Sequence, residues 1–504
     1  MASKYAANTN HKFLKLPNKL LGIYNLWDAH ETARLVGPLL KELEDNGQLE
    51  FYQRYIEPFQ YAVLAMQRAG LLLDRDALRR YRRHLRAELR GVDQAIRRHA
   101  DEQCFQYTDK FPSSDHQVSK YLFDVLGLKA SKRTAKTGRA SVDQDSLMRV
   151  LRGLRKRDLP HQRLLWDLFH RSRVSTLLDR YLKDLEPDPD GRVRAQVKMS
   201  HVKTLRLAYA EPALQQWPDE ARHFFVAAPG QVLLAADYAQ LEARLLAYYS
   251  EDPVLVEAFA EGEDVHAVNA RDLFAITEEE WAQLENPSPY RQYAKTFLYR
   301  LIYGGSAATG DKKLFCPCPR CAHRMPDTLS LTPSKGAEAE RRWLFKHPAV
   351  PRFQEQVAQQ VRRDHYFVPL LGGKRYISKP WGADLARELK NIPMQTGGAH
   401  LMNRAQAQLH QAQVNIILQH HDSFIDECPL RQVEQDAQLI QEAMCQEATI
   451  QGRRVRFPID FKVGYNWGRY HPKRNPDGMR GWEPGQPMPP RSGEPAVYEE
   501  VQGG

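Results

Sequence analysis

The sequence predicts an α+β fold: a few buried strands set among long, charge-rich helices. Two segments far apart in the chain share one strand design. Val232, Leu233, Leu234, Ala235 and Ala236 form an apolar run that ends on Asp237. Val414 to Leu418 (VNIIL) lead through Gln419, His420 and His421 to Asp422. Short apolar runs with a polar stop read as buried strands. The third observation is helical periodicity, with apolar residues spaced among many charges, from Asp28 to about Arg98 and again from Asp252 to about Leu301. An acid at the tip of a buried strand is costly to desolvate unless something pairs with it, and a metal ion is the usual partner. Two such aspartates can meet at one divalent metal site.

At 504 residues the chain can form several domains with large cores. Its net charge of +10 favours a polyanionic partner. Six cysteines in a chain of this size do not make a disulfide framework, which points to a reducing compartment. The start, MASKYAANTNHKFLKLPNK, lacks the apolar core of a secretory signal. No apolar run reaches membrane-spanning length. A soluble, cytoplasmic protein without a membrane partner is expected.

The elements follow in order. Residues 1–23 are polar and carry no clear pattern. In the helical stretch after them arginine is dense, which suits either a solvated face or a surface that tracks phosphates. Leu128 to Val142 is basic and turn-rich, a loop. Gly191 to Ala210 contains β-like runs. Helices resume from Lys335, and Tyr366 to Ile377 (YFVPLLGGKRYI) predicts a hairpin with a Gly-Gly turn. Pro472 to Gly504 is rich in Pro and Gly with few apolar residues, and disorder is expected there.

Arg291, Lys295, Tyr299 and Tyr303–Gly304 recur every four residues and so share one face of a helix. A guanidinium fork, a point charge and a flat hydroxylated ring suit a triphosphate. On spacing alone, an ordinary amphipathic helix with a solvated basic edge is the better reading.

The combination reverses that judgement. DYAQLEAR from Asp237, R-x3-K-x3-Y-x3-YG from Arg291 and HHD ending at Asp422, in this order, resemble motifs A, B and C of the DNA polymerase I family, family A. Lys203 to Pro218, Asp252 to His266, the Arg387-x3-Asn391-x3-Gln395 element, Ser113 to Leu147 with Lys136-Thr137-Gly138, and Lys462 to His471 resemble further family segments. The resemblance covers about residues 24–471, less one insertion. It implies a right-hand polymerase fold with an antiparallel palm sheet and helical fingers and thumb. Residues 1–48 would resemble the end of a 3′–5′ exonuclease domain, and 49–200 would be the thumb and adjoining palm helices. Residues 201–250 would be the first part of the palm with motif A. Residues 251–400 would be the fingers with motif B and a cysteine-containing insertion at about 310–335. Residues 401–471 would be the second part of the palm with motif C, followed by the tail at 472–504.

The same resemblance implies a template-directed DNA polymerase that adds dNTPs to a primer 3′ end by two-metal-ion chemistry. Asp237, Asp422 and the carbonyl of Tyr238 would hold two Mg²⁺ ions, with Mn²⁺ as a substitute. Arg291 and Lys295 would bind the triphosphate, Lys295 also donating a proton to pyrophosphate. Gln240, His266, Tyr299, Tyr303 and Gly304 would complete the dNTP site, glycine allowing close approach of the templating base. Glu242 would occupy the space of a ribose 2′-hydroxyl and so select deoxynucleotides. Tyr299 predicts ready acceptance of dideoxynucleotides. Arg206, Arg387, Asn391, Gln395 and His421 would touch the primer–template DNA, partly in its minor groove.

Three departures stand out. Motif C reads His421-Asp422-Ser423 where the family has His-Asp-Glu, so any third-acid role is missing or indirect. Tyr24-x3-Asp28 resembles the last exonuclease motif without its earlier partners. The expectation is a chain without its own proofreading site, with an exonuclease or replisome subunit as a candidate partner. Cys316, Cys318, Cys321 and His323 (CPCPRCAH) resemble half of a zinc knuckle, a candidate structural Zn²⁺ site or a reduced thiol loop. Shortness and divergent motifs suggest a phage-like source, and then a host cytoplasm. The alternatives are a single-subunit RNA polymerase-like enzyme, which Glu242 and the Arg387/Asn391/Gln395 element oppose, and an inactive DNA-binding scaffold, which the two aspartates oppose.

Overall fold

A computed structural model describes residues 17–134, 137–154, 158–284, 286–305 and 333–492. Its centre is a six-stranded sheet built from β1 (Gln231–Tyr238), β2 (Ile416–His420), β3 (Ser423–Pro429), β4 (Ile459–Gly464), β5 (Asn466–Arg469) and β6 (Gly478–Trp482), in the order β5-β6-β4-β1-β3-β2. All pairs are antiparallel except β5 with β6. Both faces of β1 are buried. Val232, Leu234 and Ala236 enter one hydrophobic core, while Leu233, with Ile417 and Ile425, enters a second. A strand covered on both faces reads as a continuous apolar run rather than an alternation, which explains the VLLAA pattern.

The helices relevant to function are α1 (Asn18–Asp45), α2 (Glu57–Ala69), α3 (Arg75–Glu102), α4 (Leu159–Thr176), α5 (Leu241–Ser250), α6 (Val265–Phe274), α7 (Ser288–Ile302), α8 (Pro333–Lys346), α9 (Ala349–Asp364), α10 (Ala383–Gln411) and α11 (Val433–Met444). Helices α2, α5, α10 and α11 contribute to the first core. The far half of α3 and α4 share a third, separate core around Ile96, Tyr121 and Leu165. Asp74 caps α3 by accepting from the Ala77 N–H at 2.9 Å. Some of the α3 arginines are tied down: Arg82 donates to the Leu185 carbonyl at 2.9 Å and Arg97 to that of Phe111 at 2.7 Å. Helix α1 buries none of its residues, and Asp28 sits on it. No helix of the described residues is long and apolar enough to cross a membrane.

The Gly-Gly hairpin forms as expected. Tyr366–Phe367 pairs with Arg375–Tyr376, and Gly372 and Gly373 take φ of 87° and 76°, values that favour glycine. The tail is a correction. Disorder was expected from Pro472, yet β6 pairs with β4 through Phe461↔Trp482 and Val463↔Arg480. Met479 and Trp482 are buried, and the Tyr465 hydroxyl donates to the Pro489 carbonyl at 2.8 Å. Two large apolar anchors suffice to dock a segment whose average composition is polar. Residues 493–504 lie outside the described residues, as does the Cys316, Cys318, Cys321 and His323 candidate zinc set.

Candidate active site at the strand tips

Asp237 is placed by register. It pairs with Ser423 across β3 and with Asp460 across β4. The next residue, Tyr238, donates its N–H to the Asp422 carbonyl at 3.1 Å. The two aspartates therefore meet at neighbouring strand ends, as the sequence predicts. Asp237 does not cap the following helix; Gln240, at φ 57°, is the residue that precedes α5. His421, at φ 56°, makes the turn that presents Asp422. Ser423 donates its hydroxyl to the His420 carbonyl at 2.8 Å, so its hydrogen is used in closing the same turn.

Charge is arranged around this pair. Arg206 donates to Glu242 Oε1 at 2.7 Å and lies 3.5 Å from Asp422 Oδ1. The Tyr303 hydroxyl also donates to Glu242 Oε1, at 3.0 Å. The other Glu242 oxygen is buried without a hydrogen bond. Burial raises the Asp422 pKa to about 6 against the pull of Arg206, and the charges of Glu242 and Asp237 add to the rise. Burial also raises Asp237, opposed by Lys462 and Lys295. The Lys462 Nζ stands 4.0 Å from Asp237 Oδ2. Asp237, His421, Asp422 and Lys462 line a cleft of about 750 Å³.

Helix α7 packs on α6 and places the basic face. Lys295 is exposed, while Arg291 is ion-paired with Asp264, the residue that caps α6. His266 is buried, with no hydrogen bond to either ring nitrogen, and its ring centroid is 6.2 Å from that of Tyr299. Burial lowers the His266 pKa to about 4; Asp264 opposes the shift, and Lys295 and Arg291 reinforce it. This imidazole is neutral at pH 7 and can both donate and accept. Burial and the surrounding acids raise the Tyr299 phenol, which stays protonated.

The end of α7 closes on α10. Gly304 has φ +70°, and a Cβ there would stand 2.9 Å from the Arg387 carbonyl oxygen. Glycine is required here by the Arg387 main chain itself. Arg387, Asn391 and Gln395 line a second cleft of about 610 Å³ with Tyr303 and Lys203. Asn391 is buried with an unpartnered Oδ1, and Arg387 is ion-paired with Asp384. Sequence reasoning missed Lys462, Asp460 and Asp264. Lys462 opens a segment that resembles the family, but only strand pairing puts it beside Asp237.

The family model for DNA polymerase family A matches residues 75–469. The chain belongs to that family. DNA polymerase I of Geobacillus stearothermophilus is 27% identical over 453 residues, which is 85% of this chain and 47% of the relative. DNA polymerase I of Chloroflexus aurantiacus is 29% identical over 492 residues, 92% of this chain and 48% of the relative. Thermostable DNA polymerase I of Thermus thermophilus is 28% identical over 461 residues, 87% of this chain and 51% of the relative. The chain thus spans about half the length of the curated relatives it matches. A solved structure, the POL domain of Pol1 from M. smegmatis in complex with DNA primer-template and dNTP, matches with a TM-score of 0.71 and 24% identity. The match covers 86% of this chain and 74% of that one. The family A chain therefore has the right-hand polymerase fold, and its curled sheet carries the two aspartates.

Proposed function

We propose that this family A chain is a template-directed DNA polymerase that adds dNTPs to a primer 3′ end. The observation that carries the reading is the meeting of Asp237 and Asp422 beside an open cleft, with Lys295 of α7 acting on Asp237 and Arg206 on Asp422. Residues 201–250 and 401–471 are then the two parts of the palm, joined by the β6 strand beyond them. Residues 251–400 are the fingers, and 49–200 are the thumb with adjoining palm helices.

The donor set fits two Mg²⁺ ions. Two carboxyls at adjacent strand ends and the Tyr238 carbonyl are oxygen donors of the kind Mg²⁺ prefers, and Ser423 adds no third acid. The chemistry such ions supply when bound is activation of the primer hydroxyl and neutralisation of triphosphate and pyrophosphate charge. Lys295, exposed on α7, binds the triphosphate and donates a proton to the leaving pyrophosphate. Arg291 exchanges Asp264 for phosphate. His266 offers an unpartnered ring nitrogen to the same group. Tyr299 and Tyr303 flank the base and sugar, beside Gln240. Glu242, held by Arg206 and Tyr303, excludes a 2′-hydroxyl. Arg387, Asn391, Gln395 and His421, with Arg206, line the path for primer–template DNA.

Primer extension with Mg²⁺, each nucleotide class supplied in turn, tests the reading. Robust chain growth from dNTPs and little from rNTPs is expected. Efficient rNTP chain growth would move the assignment to an RNA polymerase-like enzyme, and no growth from either would leave a binding scaffold. An exonuclease assay on the same primer measures whether Asp28, exposed on α1, takes part in any hydrolysis.

A further inference from the structure

Away from the cleft, β3 and α11 bring two carboxyls and a thiol together. Asp426 and Cys428 alternate on one face of β3, so both point toward the first core. They lie opposite Leu234 and Val232 of β1. Asp436 reaches them from the first turn of α11. One ligand atom from each of the three lies within 4.8 Å of the others. Asp426 is 0% exposed and Cys428 1%. Neither Asp426 oxygen has a hydrogen bond of normal geometry. The Asp436 carboxyl, the Cys428 thiol and the Asn415 N–H are its polar neighbours, none within hydrogen-bond geometry, and no basic side chain is among the groups acting on it.

The neighbouring residue shows what a compensated buried acid looks like here. Glu427, on the opposite face of β3, is 2% exposed, yet it accepts from Arg192 Nη2 at 2.7 Å and from the Ala228 N–H at 2.9 Å. Asp426 has no such partners. A buried carboxylate left bare is costly, and it is tolerated when it keeps its proton or gains a cation.

We propose that Asp426, Cys428 and Asp436 form a structural site for a thiophilic divalent transition metal of the zinc class. One thiolate and two carboxylates are a borderline-soft donor set, wrong for Mg²⁺ and right for Zn²⁺ or Co²⁺. Around zinc, sulfur sits at about 2.3 Å and oxygen at about 2.0–2.2 Å. The donor atoms need draw in by no more than about 1.5 Å, given tetrahedral edges of roughly 3.3–3.7 Å. Asp436, only half-buried on a helix end, can make that movement and gives the ion its entry path. A water completes four-coordination. Binding releases the thiol proton and any proton the carboxyls hold. The ion would clamp β3 to α11 and so brace the hairpin that carries Asp422. It would not touch the reacting atoms, and the inference stands whether or not the chain is a polymerase.

The test uses the full chain with Cys316, Cys318 and Cys321 changed to Ser, titrated with Co²⁺ under excess Mg²⁺. Magnesium fills the oxygen sites at the cleft, and only a sulfur ligand produces thiolate-to-cobalt charge-transfer absorption. One equivalent of that absorption is expected, displaced by Zn²⁺ and lost in Cys428→Ser. Asp436→Asn, at a half-buried position, should keep the circular dichroism spectrum of its parent and weaken Co²⁺ binding at least about tenfold. Absence of the absorption would overturn the proposal and leave two carboxyls and a thiol sharing protons. So would a band that survives Cys428→Ser, or an Asp436→Asn variant that binds as tightly as its parent.

Discussion

Asp422 and Asp426 lie on the same hairpin, the first half-buried at its turn and the second fully buried on its strand, and their surroundings differ in kind. Asp422 opens onto a cleft and has Arg206 at 3.5 Å to offset its charge. Asp426 faces a closed core with a thiol and a second acid and no cation. Asp252 makes a third case, fully buried but matched by His347 Nδ1 at 2.8 Å. The three show three ways in which a fold holds a costly carboxyl: open toward a ligand with a local counter-charge, closed without one, or closed with a built-in cation. The first suits exchangeable metal and substrate, and the last is structural.

The largest expected effect separates the first case from the others. Asp422→Ala should reduce primer extension by about 10³-fold or more while duplex binding stays close to that of the parent chain. Gel-shift binding and single-turnover extension measured on one preparation check this. Full extension by Asp422→Ala would erase the distinction between an active-site acid and its buried neighbours.

A smaller effect should follow at Glu242, whose buried carboxyl is shared between Arg206 and Tyr303. Glu242→Ala should narrow the dNTP over rNTP preference by about 10- to 200-fold, the range open to a purely steric pocket. It should also leave Arg206 to Asp422 alone, which lowers the Asp422 pKa. The pH profile of extension should then shift toward acid together with the loss of sugar selectivity. An unchanged sugar preference would remove Glu242 from the gate and leave it as a support for Arg206.

The cleft was largely legible in the chain because its residues sit in short ordered motifs. Asp237 and Asp422 meet at neighbouring strand ends, Arg206 links Glu242 to Asp422, and Lys295 acts on Asp237 from α7. What stayed hidden depends on register between distant strands. Lys462 reaches Asp237 only through the pairing of β4 with β1, and Asp460 lies directly opposite it. The β6 strand was hidden for another reason: Met479 and Trp482 dock a segment whose average composition argues for disorder. Asp426 and Cys428 look in sequence like ordinary alternation on a strand. Only the burial of both faces of the sheet reveals that a carboxyl has been placed in the core.

The smallest effect concerns the carboxyl with its own cation. Burial alone would lower the His347 pKa, but the hydrogen bond to Asp252 and the nearby Asp272 carboxyl outweigh it and raise the value above the ordinary 6.5. The unfolded imidazole titrates near 6.5, so the added stability is fully present below that pH. It is lost as pH rises through the higher folded value, where the folded protein gives up the proton. His347→Gln keeps a hydrogen bond but no charge, and should cost about 1.5 kcal/mol at pH 6. Denaturant midpoints of parent and variant, taken from pH 6 to pH 9, should draw together as pH rises. A gap that is constant or grows would mean that His347 is neutral in the fold. Asp252 would then join Asp426 as a buried acid held without a counter-charge.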